Sequence, residues 1–328
     1  MPPLPTAHST EIHHAAHLLE AGKLVAIPTE TVYGLAANAL SSSAVAEIFR
    51  VKNRPTFDPL IVHLAETQDL EKYVQQVPPL AYVLARAFWP GPLTLVLPRR
   101  ALIPDLVTAG LPTVGIRVPR HPLTRALLQR LDFPLAAPSA NPFGYVSPTT
   151  ADHVRQQLGD KIDFILDGGP CEVGLESTII AFEKEKPRVL RLGGIALEAL
   201  QEVVGMVEVQ SHSSSQPQAP GMLSSHYAPG PPVVLIESRD EIALYQEKTP
   251  PSQIGFIGFQ ASSPLLPALH QHILSPSGHL SEAAARLFAA LRALDQPDIR
   301  LILAEVFPEV GLGRAINDRL RRAAAKRT

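Results

Sequence analysis

The chain has 328 residues and a net charge of −2, with 45% of its residues apolar and 18% charged. That length argues for two domains over one core. The apolar share excludes disorder over most of the chain, and the near-zero charge excludes a global field that would recruit nucleic acid or an acidic membrane. Cys171 is the only cysteine, which excludes an intramolecular disulfide framework and a multi-thiolate zinc site and fits a reducing compartment. No apolar run approaches the ~20 residues that span a bilayer, and the N-terminal stretch lacks the apolar core of a secretory signal, so a cytoplasmic protein is expected.

In chain order, Ser9 or Thr10 is placed to cap a helix ending at Gly22, with Ile12, Ala15, Ala16 and Leu19 on one face. Lys23–Ile27 reads as a strand feeding the loop Pro28–Leu35. Ser41–Ser43 open a helix whose far end delivers Lys52 and Arg54 before Pro55 stops it. A short buried strand at Leu60–Leu64 follows, then helices at Leu70–Val74 and Leu80–Trp89. Strands are predicted at Leu93–Leu97, Val114–Val118, Leu135–Ala137, Phe164–Leu166, Thr178–Phe182 and Val189–Leu192, interrupted by helices at Pro122–Leu131 and Thr150–Leu158. This mixture predicts an α/β sheet with helical cover. Ser211–Gly221 is poor in apolar residues and reads as a linker. Beyond it Val233–Ile236, Ile254–Phe259 and Ile299–Ala304 alternate with helices at Glu241–Gln246, Ser281–Leu294 and Arg314–Ala325, a small parallel α/β domain.

The chain has neither G-x-x-x-x-G-K-[ST] nor G-x-G-x-x-G, so any nucleotide must be held by side chains gathered from several loops. Lys52-x-Arg54 sits between apolar strand segments, at the kind of sheet edge where open α/β folds bind ligands. Arg117 and Arg191 end strands beside Gly115 and Gly193-Gly194, where a clamp on an anion and surface filler are equally good readings. Ser139-x-Asn141, flanked by Pro138 and Pro142, lies outside any G-x-S-x-G elbow and suits hydrogen bonding to phosphate, ribose or base. Ser177-Thr178 is a second such pair, though turn capping would satisfy both. His13 and His17 have metal-ligand spacing, but no carboxylate or third ligand accompanies them, so a wet helix face is the expectation. The basic tail (Arg314, Arg319, Arg321, Arg322, Lys326, Arg327) is read as a solvated last helical turn rather than a nucleic-acid patch. His63 closes an apolar strand at the cleft, and the Gly221…His226-Tyr227 segment, with its glycine hinge, reads as a lid.

Together, Pro28-Thr29-Glu30-Thr31-Val32-Tyr33-Gly34-Leu35, Lys52-x-Arg54-Pro55, Pro59-Leu60-Ile61-Val62-His63, Ser139-x-Asn141, Glu176-Ser177-Thr178-Ile179 and Pro220-Gly221-Met222…His226-Tyr227-Ala228-Pro229 resemble the threonylcarbamoyl-AMP synthase (YrdC-like) family in its longer form with a C-terminal domain. The resemblance implies a YrdC-like twisted mixed sheet over residues 8–210, a linker or lid at 211–232, and a Rossmann-like α/β domain over 233–328. It also implies a nucleotidyltransferase reaction. Threonine and bicarbonate form N-carboxy-threonine, which attacks the α-phosphate of ATP to give threonylcarbamoyl-AMP and pyrophosphate. A downstream tRNA threonylcarbamoyl-transferase then passes the group to a tRNA adenosine.

By the same resemblance, Lys52 and Arg54 are the catalytic cations. Arg54, Asp58, Thr113, Ser139, Asn141, Ser147, Arg191, His226 and Tyr227 contact ATP, with Mg2+ carried mainly by the ATP phosphates rather than by protein ligands. Thr31, His63, Arg117, Ala137 and Ser177 bind threonine. Asp58 stands where the family commonly has asparagine, Ala219 where it has serine, and Leu192 where it has proline. The competing reading is a double-stranded RNA or tRNA-binding module without turnover, which would use Lys52, Arg54 and Arg117. The near-neutral charge and lack of interleaved aromatics weigh against it. The C-terminal domain is expected to govern the lid, because the lid is the only covalent link between the two.

Overall fold

The computed structural model describes residues 6–210, 219–222 and 226–325. Ten strands form one mixed sheet: β1 (Val25–Ile27), β2 (Gly34–Asn38), β3 (Ile61–His63), β4 (Leu93–Pro98), β5 (Thr113–Arg117), β6 (Leu135–Ala136), β7 (Phe164–Ile165), β8 (Thr178–Glu183), β9 (Lys186–Arg191) and β10 (Glu208–Val209). Their spatial order is β10-β9-β8-β4-β5-β3-β6-β2-β1-β7. Helices α1 (Thr6–Glu20), α2 (Ser42–Lys52), α3 (Leu70–Tyr73), α4 (Pro79–Phe88), α5 (Asp105–Thr108), α6 (Pro122–Leu128), α7 (Ala151–Leu158) and α8 (Leu197–Val204) surround it. Helix α1 begins at Thr6, ahead of the predicted Ser9/Thr10 cap. Its apolar side (Ile12, Ala15, Leu19) packs with Leu123 and Leu127 of α6 against Val25, Ile27 and Leu135. The main core joins Val45 and Ile48 of α2, Leu84 of α4 and Leu200 of α8 to Val62, Leu95, Ile116 and Ile180.

The two-residue period of strands turns the alternate side chains the other way. Parallel pairing sets Ile61 against Gly115 and His63 against Arg117, and β4 sets Val96 against Gly115. On this second face Ile61, Val96, Ile179 and Leu190 are covered by Ala219 and Met222 rather than by a helix. A crossing segment therefore closes the sheet face that carries His63 and Arg117.

The C-terminal domain has four parallel strands, β11 (Val233–Ile236), β12 (Ile254–Gly258), β13 (Gln271–Ile273) and β14 (Leu301–Glu305), in the order β11-β14-β12-β13. Helix α9 (Ile242–Gln246) packs on one face through Ile242. Helices α10 (Leu280–Ala293) and α11 (Gly313–Ala324) cover the other. The two domains share a core: Val32, Val146, Leu175 and Tyr227 pack with Phe288, Leu287 and Leu320.

Candidate active site

The end of α2 explains why neighbouring cations face different ways. Ser41 caps its start by accepting from the Ala44 amide, and Asn53 ends it in the left-handed region (φ 51°). Lys52, the last helical residue, turns inward and is 1% exposed; its Nζ donates to the carbonyls of Ser139, at 2.5 Å, and Asn141. Burial, then the Arg54 charge, pushes its ammonium well below the ordinary lysine range. Arg54, beyond the αL residue, reaches the cavity. Its Nη2 donates to the Pro59 carbonyl at 2.8 Å and pairs with Asp58 Oδ2 at 2.9 Å.

Arg117 ends β5 beside His63. Its Nη2 donates to Glu30 Oε1 at 2.5 Å and to Thr31 Oγ1 at 2.9 Å. Burial opposes ionisation of Glu30, but the Arg117 charge and hydrogen bond, with the Arg120 amide, hold its carboxyl below the usual range. The Thr29 hydroxyl donates to the Val32 carbonyl at 2.6 Å and accepts from the Thr31 and Val32 amides at 3.1 and 3.2 Å; its oxygen lies 2.8 Å from Thr31 Oγ1. Thr31 Oγ1 accepts from Arg117 and faces the cavity. His63 donates Nδ1–H to the Ile61 carbonyl at 3.2 Å. Burial and Arg117 push its pKa down to about 3, so the ring is neutral at physiological pH.

Arg191, at the end of β9, holds Ser177 through the carbonyl (2.9 Å from Nη2) and the hydroxyl (3.1 Å), and donates Nη1–H to Pro220 of the crossing segment at 3.0 Å. Thr94 fixes the same hydroxyl at 2.8 Å. Gly221 follows at φ 77°, where a Cβ would come within 2.7 Å of the Tyr227 hydroxyl. Tyr227 is itself left-handed (φ 62°) and buried. Its ring stacks on Phe288 at 5.5 Å and meets His226 edge-on at 4.2 Å. His226 Nδ1 is buried without a hydrogen-bond partner, and burial pushes the ring's pKa to about 3.

Thr31, Arg54, His63, Arg117, Ala137, Ser139, Ser177, Arg191, His226 and Tyr227 therefore line one cavity, which holds about 50 Å³. Five residues expected at the phosphates or the adenylate do not line this cavity. Lys52 is consumed by main-chain carbonyls, as described. Asp58 is buried against Arg54; burial leaves its pKa raised, only partly offset by Arg54, Lys52 and Arg191. Asn141 gives its amide hydrogens to the Pro142 and Tyr145 carbonyls, and Ser147 donates to Glu176 at 2.6 Å. Thr113 begins β5, at the end of the strand opposite Arg117, and lines a separate groove of about 440 Å³ with Gln76, Leu190 and Arg188. Of the expected lid, residues 211–218 and 223–225 lie outside the described residues; Ala219–Met222 and His226–Tyr227 line or cover the cavity.

Sequence reading missed Glu30, Glu176 and Arg319. Arg319 and Arg322, expected on a solvated helical turn, are buried: Arg319 donates to Glu176 Oε2 at 2.8 Å, and Arg322 pairs with Asp318 at 3.0 Å. No local signal marks this burial, because an i,i+4 Asp318–Arg322 pair on so charged a helix reads as a solvated face. Burial again opposes ionisation of Glu176, but Arg319 and Arg191 hold its carboxyl below the usual range. His13 and His17 form no metal set; His13 bonds to the Ser9 carbonyl and Arg130, and among the described residues no group of three His, Cys, Asp or Glu is placed to hold a metal ion. Nor is any described helix long and apolar enough to cross a membrane.

A family model for Sua5, YciO and YrdC proteins, described as telomere recombination, matches residues 17–193, and one described as threonylcarbamoyl-AMP synthase, C-terminal domain, matches residues 195–325. The threonylcarbamoyl-AMP synthase of Pyrococcus abyssi is 41% identical over 97% of this chain and 95% of its own length. That of Bacillus subtilis is 41% identical over 98% and 95%. The crystal structure of P. abyssi Sua5 complexed with L-threonine superposes with a TM-score of 0.89 over 96% of this chain and 94% of that one, at 41% identity. With both domains matched in order and a full-length likeness at this identity, the chain belongs to the threonylcarbamoyl-AMP synthase family, in its two-domain form.

Proposed function

We propose that this chain makes threonylcarbamoyl-AMP and pyrophosphate from threonine, bicarbonate and ATP, as a nucleotidyltransferase. The observation that carries the reading is the convergence of Arg54, Arg117 and Arg191 on one buried cavity whose histidines are neutral. Two anions about 4 Å apart repel by roughly 4 kcal/mol at an effective dielectric of 20, and fixed guanidinium groups offset that before bond making starts.

Arg117 receives the threonine carboxylate, already braced by Glu30 so that its fork is held still. Thr31, turned to the cavity by its bond to Arg117, accepts from the threonine nitrogen. Ser177 and neutral His63 meet the hydroxyl side. Arg54 and Arg191 take phosphate oxygens, with Ser139, His226 and Tyr227 around the nucleotide. The carbamate oxygen of N-carboxy-threonine bonds to the α-phosphorus while the bond to the β-phosphate oxygen breaks, and pyrophosphate leaves with that electron pair. The protein supplies position and charge, and no covalent nucleophile: Cys171 is buried with its thiol pushed up to about 12, and the Ser177 hydroxyl has Thr94 and Arg191 beside it, not a base.

Any magnesium would be held by the ATP phosphates, whose negative charge it would offset. The nearby carboxylates are committed, Glu176 to Arg319 and Ser147, Asp58 to Arg54, Glu30 to Arg117, which fits an ion carried by the nucleotide rather than caged by side chains. The product then passes, in the cytoplasm, to a tRNA threonylcarbamoyl-transferase. An RNA-binding module is disfavoured, since Lys52, Arg54 and Arg117 are buried beyond reach of a duplex backbone.

The test is pyrophosphate release with mass detection of the adenylate. Release that needs threonine, bicarbonate and ATP together is expected. Release without threonine, or RNA binding with a steep salt slope and no release, refutes the reading.

A further inference from the structure

Helix α11 belongs to the C-terminal domain, yet it carries a residue buried at the back of the site. Arg319 is 0% exposed and does not line the cavity. Its Nε donates to Glu176 Oε2 at 2.8 Å and its Nη2 to the Leu192 carbonyl at 2.8 Å, both in the N-terminal domain. Its Nη1 donates to Asp318 at 2.6 Å on its own helix. All three guanidinium nitrogens are thus engaged, and Cζ lies over the Tyr227 ring, 5.0 Å from its centre. Tyr227 holds a left-handed backbone (φ 62°), a conformation that a non-glycine residue keeps only where neighbours enforce it. The next turn of α11 contributes as well, because the Arg322 carbonyl accepts from the His226 amide at 3.3 Å.

We propose that Arg319 is a positioning residue for the reaction, holding Tyr227 against the nucleotide side of the cavity so that the site is complete only when the C-terminal domain is docked. The planar fork is essential. A lysine keeps the charge but reaches one partner at a time and stacks less well on an aromatic ring. Arg314 supplies the comparison: it lies on the same helix and bridges the same domains, to Glu198 at 2.5 Å, but outside the cavity.

This inference rests on the proposed synthase activity, so steady-state kinetics are run on active protein, with wild type and Arg314→Gln establishing that activity. Arg319→Lys is expected to raise KM for ATP about tenfold while KM for threonine stays near wild type, with a lower melting temperature because two of its three acceptors lose their donor, and Arg314→Gln is expected to stay within about twofold throughout. In Tyr227→Leu protein, adding Arg319→Lys is expected to cost no more than about a further twofold, because the group it positions is already gone. Glu176→Gln, which keeps the arginine but loosens its anchor, is expected to reproduce the ATP effect if Arg319→Lys does not fold. Equal behaviour of Arg319→Lys and Arg314→Gln, or losses that multiply in the double variant, would overturn the proposal.

Discussion

Acid should unfold this protein through its cavity. His63 and His226 both have folded-state pKa values pushed down to about 3, first by burial. His63 faces Arg117 and Glu30, and His226 faces Glu176, Arg54, Lys52 and Arg319. In the unfolded chain each returns to about 6.5. Because the folded value is the lower one, the unfolded state takes up protons first. The stability is complete above about pH 6.5 and is lost as pH falls toward 3. At about pH 5 each ring has forfeited ~2 kcal/mol and the pair ~4 kcal/mol, a large share of a typical 5–15 kcal/mol. Trp89, the only tryptophan and buried in the N-terminal core, reports the unfolding of that domain in urea. Between about pH 7.5 and pH 5 the midpoint should fall by more than ~1 M urea. A double variant, His63→Gln with His226→Gln, should show a markedly shallower slope. A smaller share remains in it from His153, pushed down to about 4 by burial and Arg292. A wild-type midpoint that does not move, or a double variant with an undiminished slope, refutes the reasoning. One corollary is kinetic: neither ring titrates between about pH 6 and 8, so neither puts a step in the rate profile there.

Gly221→Ala meets both a left-handed backbone and the Tyr227 hydroxyl at 2.7 Å, so kcat/KM for ATP should fall about tenfold with little change in melting temperature. Lys52→Met leaves the Ser139 and Asn141 carbonyls unpaired at about 1–3 kcal/mol each and should appear as lost stability with residual pyrophosphate release; Arg54→Gln should abolish pyrophosphate release and also lower the melting temperature, because it leaves buried Asp58 without its cation. Serine lacks one methyl group and should be used in place of threonine with kcat/KM about 10–200-fold lower, measured by pyrophosphate release.

Local signals made most of the fold legible. Ser41 before an apolar-periodic run, Pro55 after it, and short β-branched runs bounded by glycine and proline placed α2 and the central strands within a residue or two. Strand β2 was absent from the reading because Gly34-Leu35-Ala36-Ala37-Asn38 is poor in branched side chains; pairing with β1 and β6 makes it a strand, a tertiary cause. Residues at strand ends, such as Arg117 and Arg191, were readable only in part, because a charge closing an apolar run suits an anion clamp and surface filler alike, and only their burial decides between the two. Lys52 and Arg54 looked equivalent in sequence, and only the αL turn at Asn53 separates the one that braces the fold from the one that reaches the cavity. Glu176 and Arg319, 143 positions apart, carry no local mark of their pairing.

The shared core has a consequence for anyone who trims this protein. A cut near residue 210 would bare Val32, Val146 and Leu175 together, an oily scar where Phe288 and Leu320 had been. Stickiness of such a fragment would then owe more to that scar than to any missing catalytic part. Single-domain cousins should be recognisable by hydrophilic side chains at these three places, and grafting those onto the fragment is the way to obtain it in a well-behaved form.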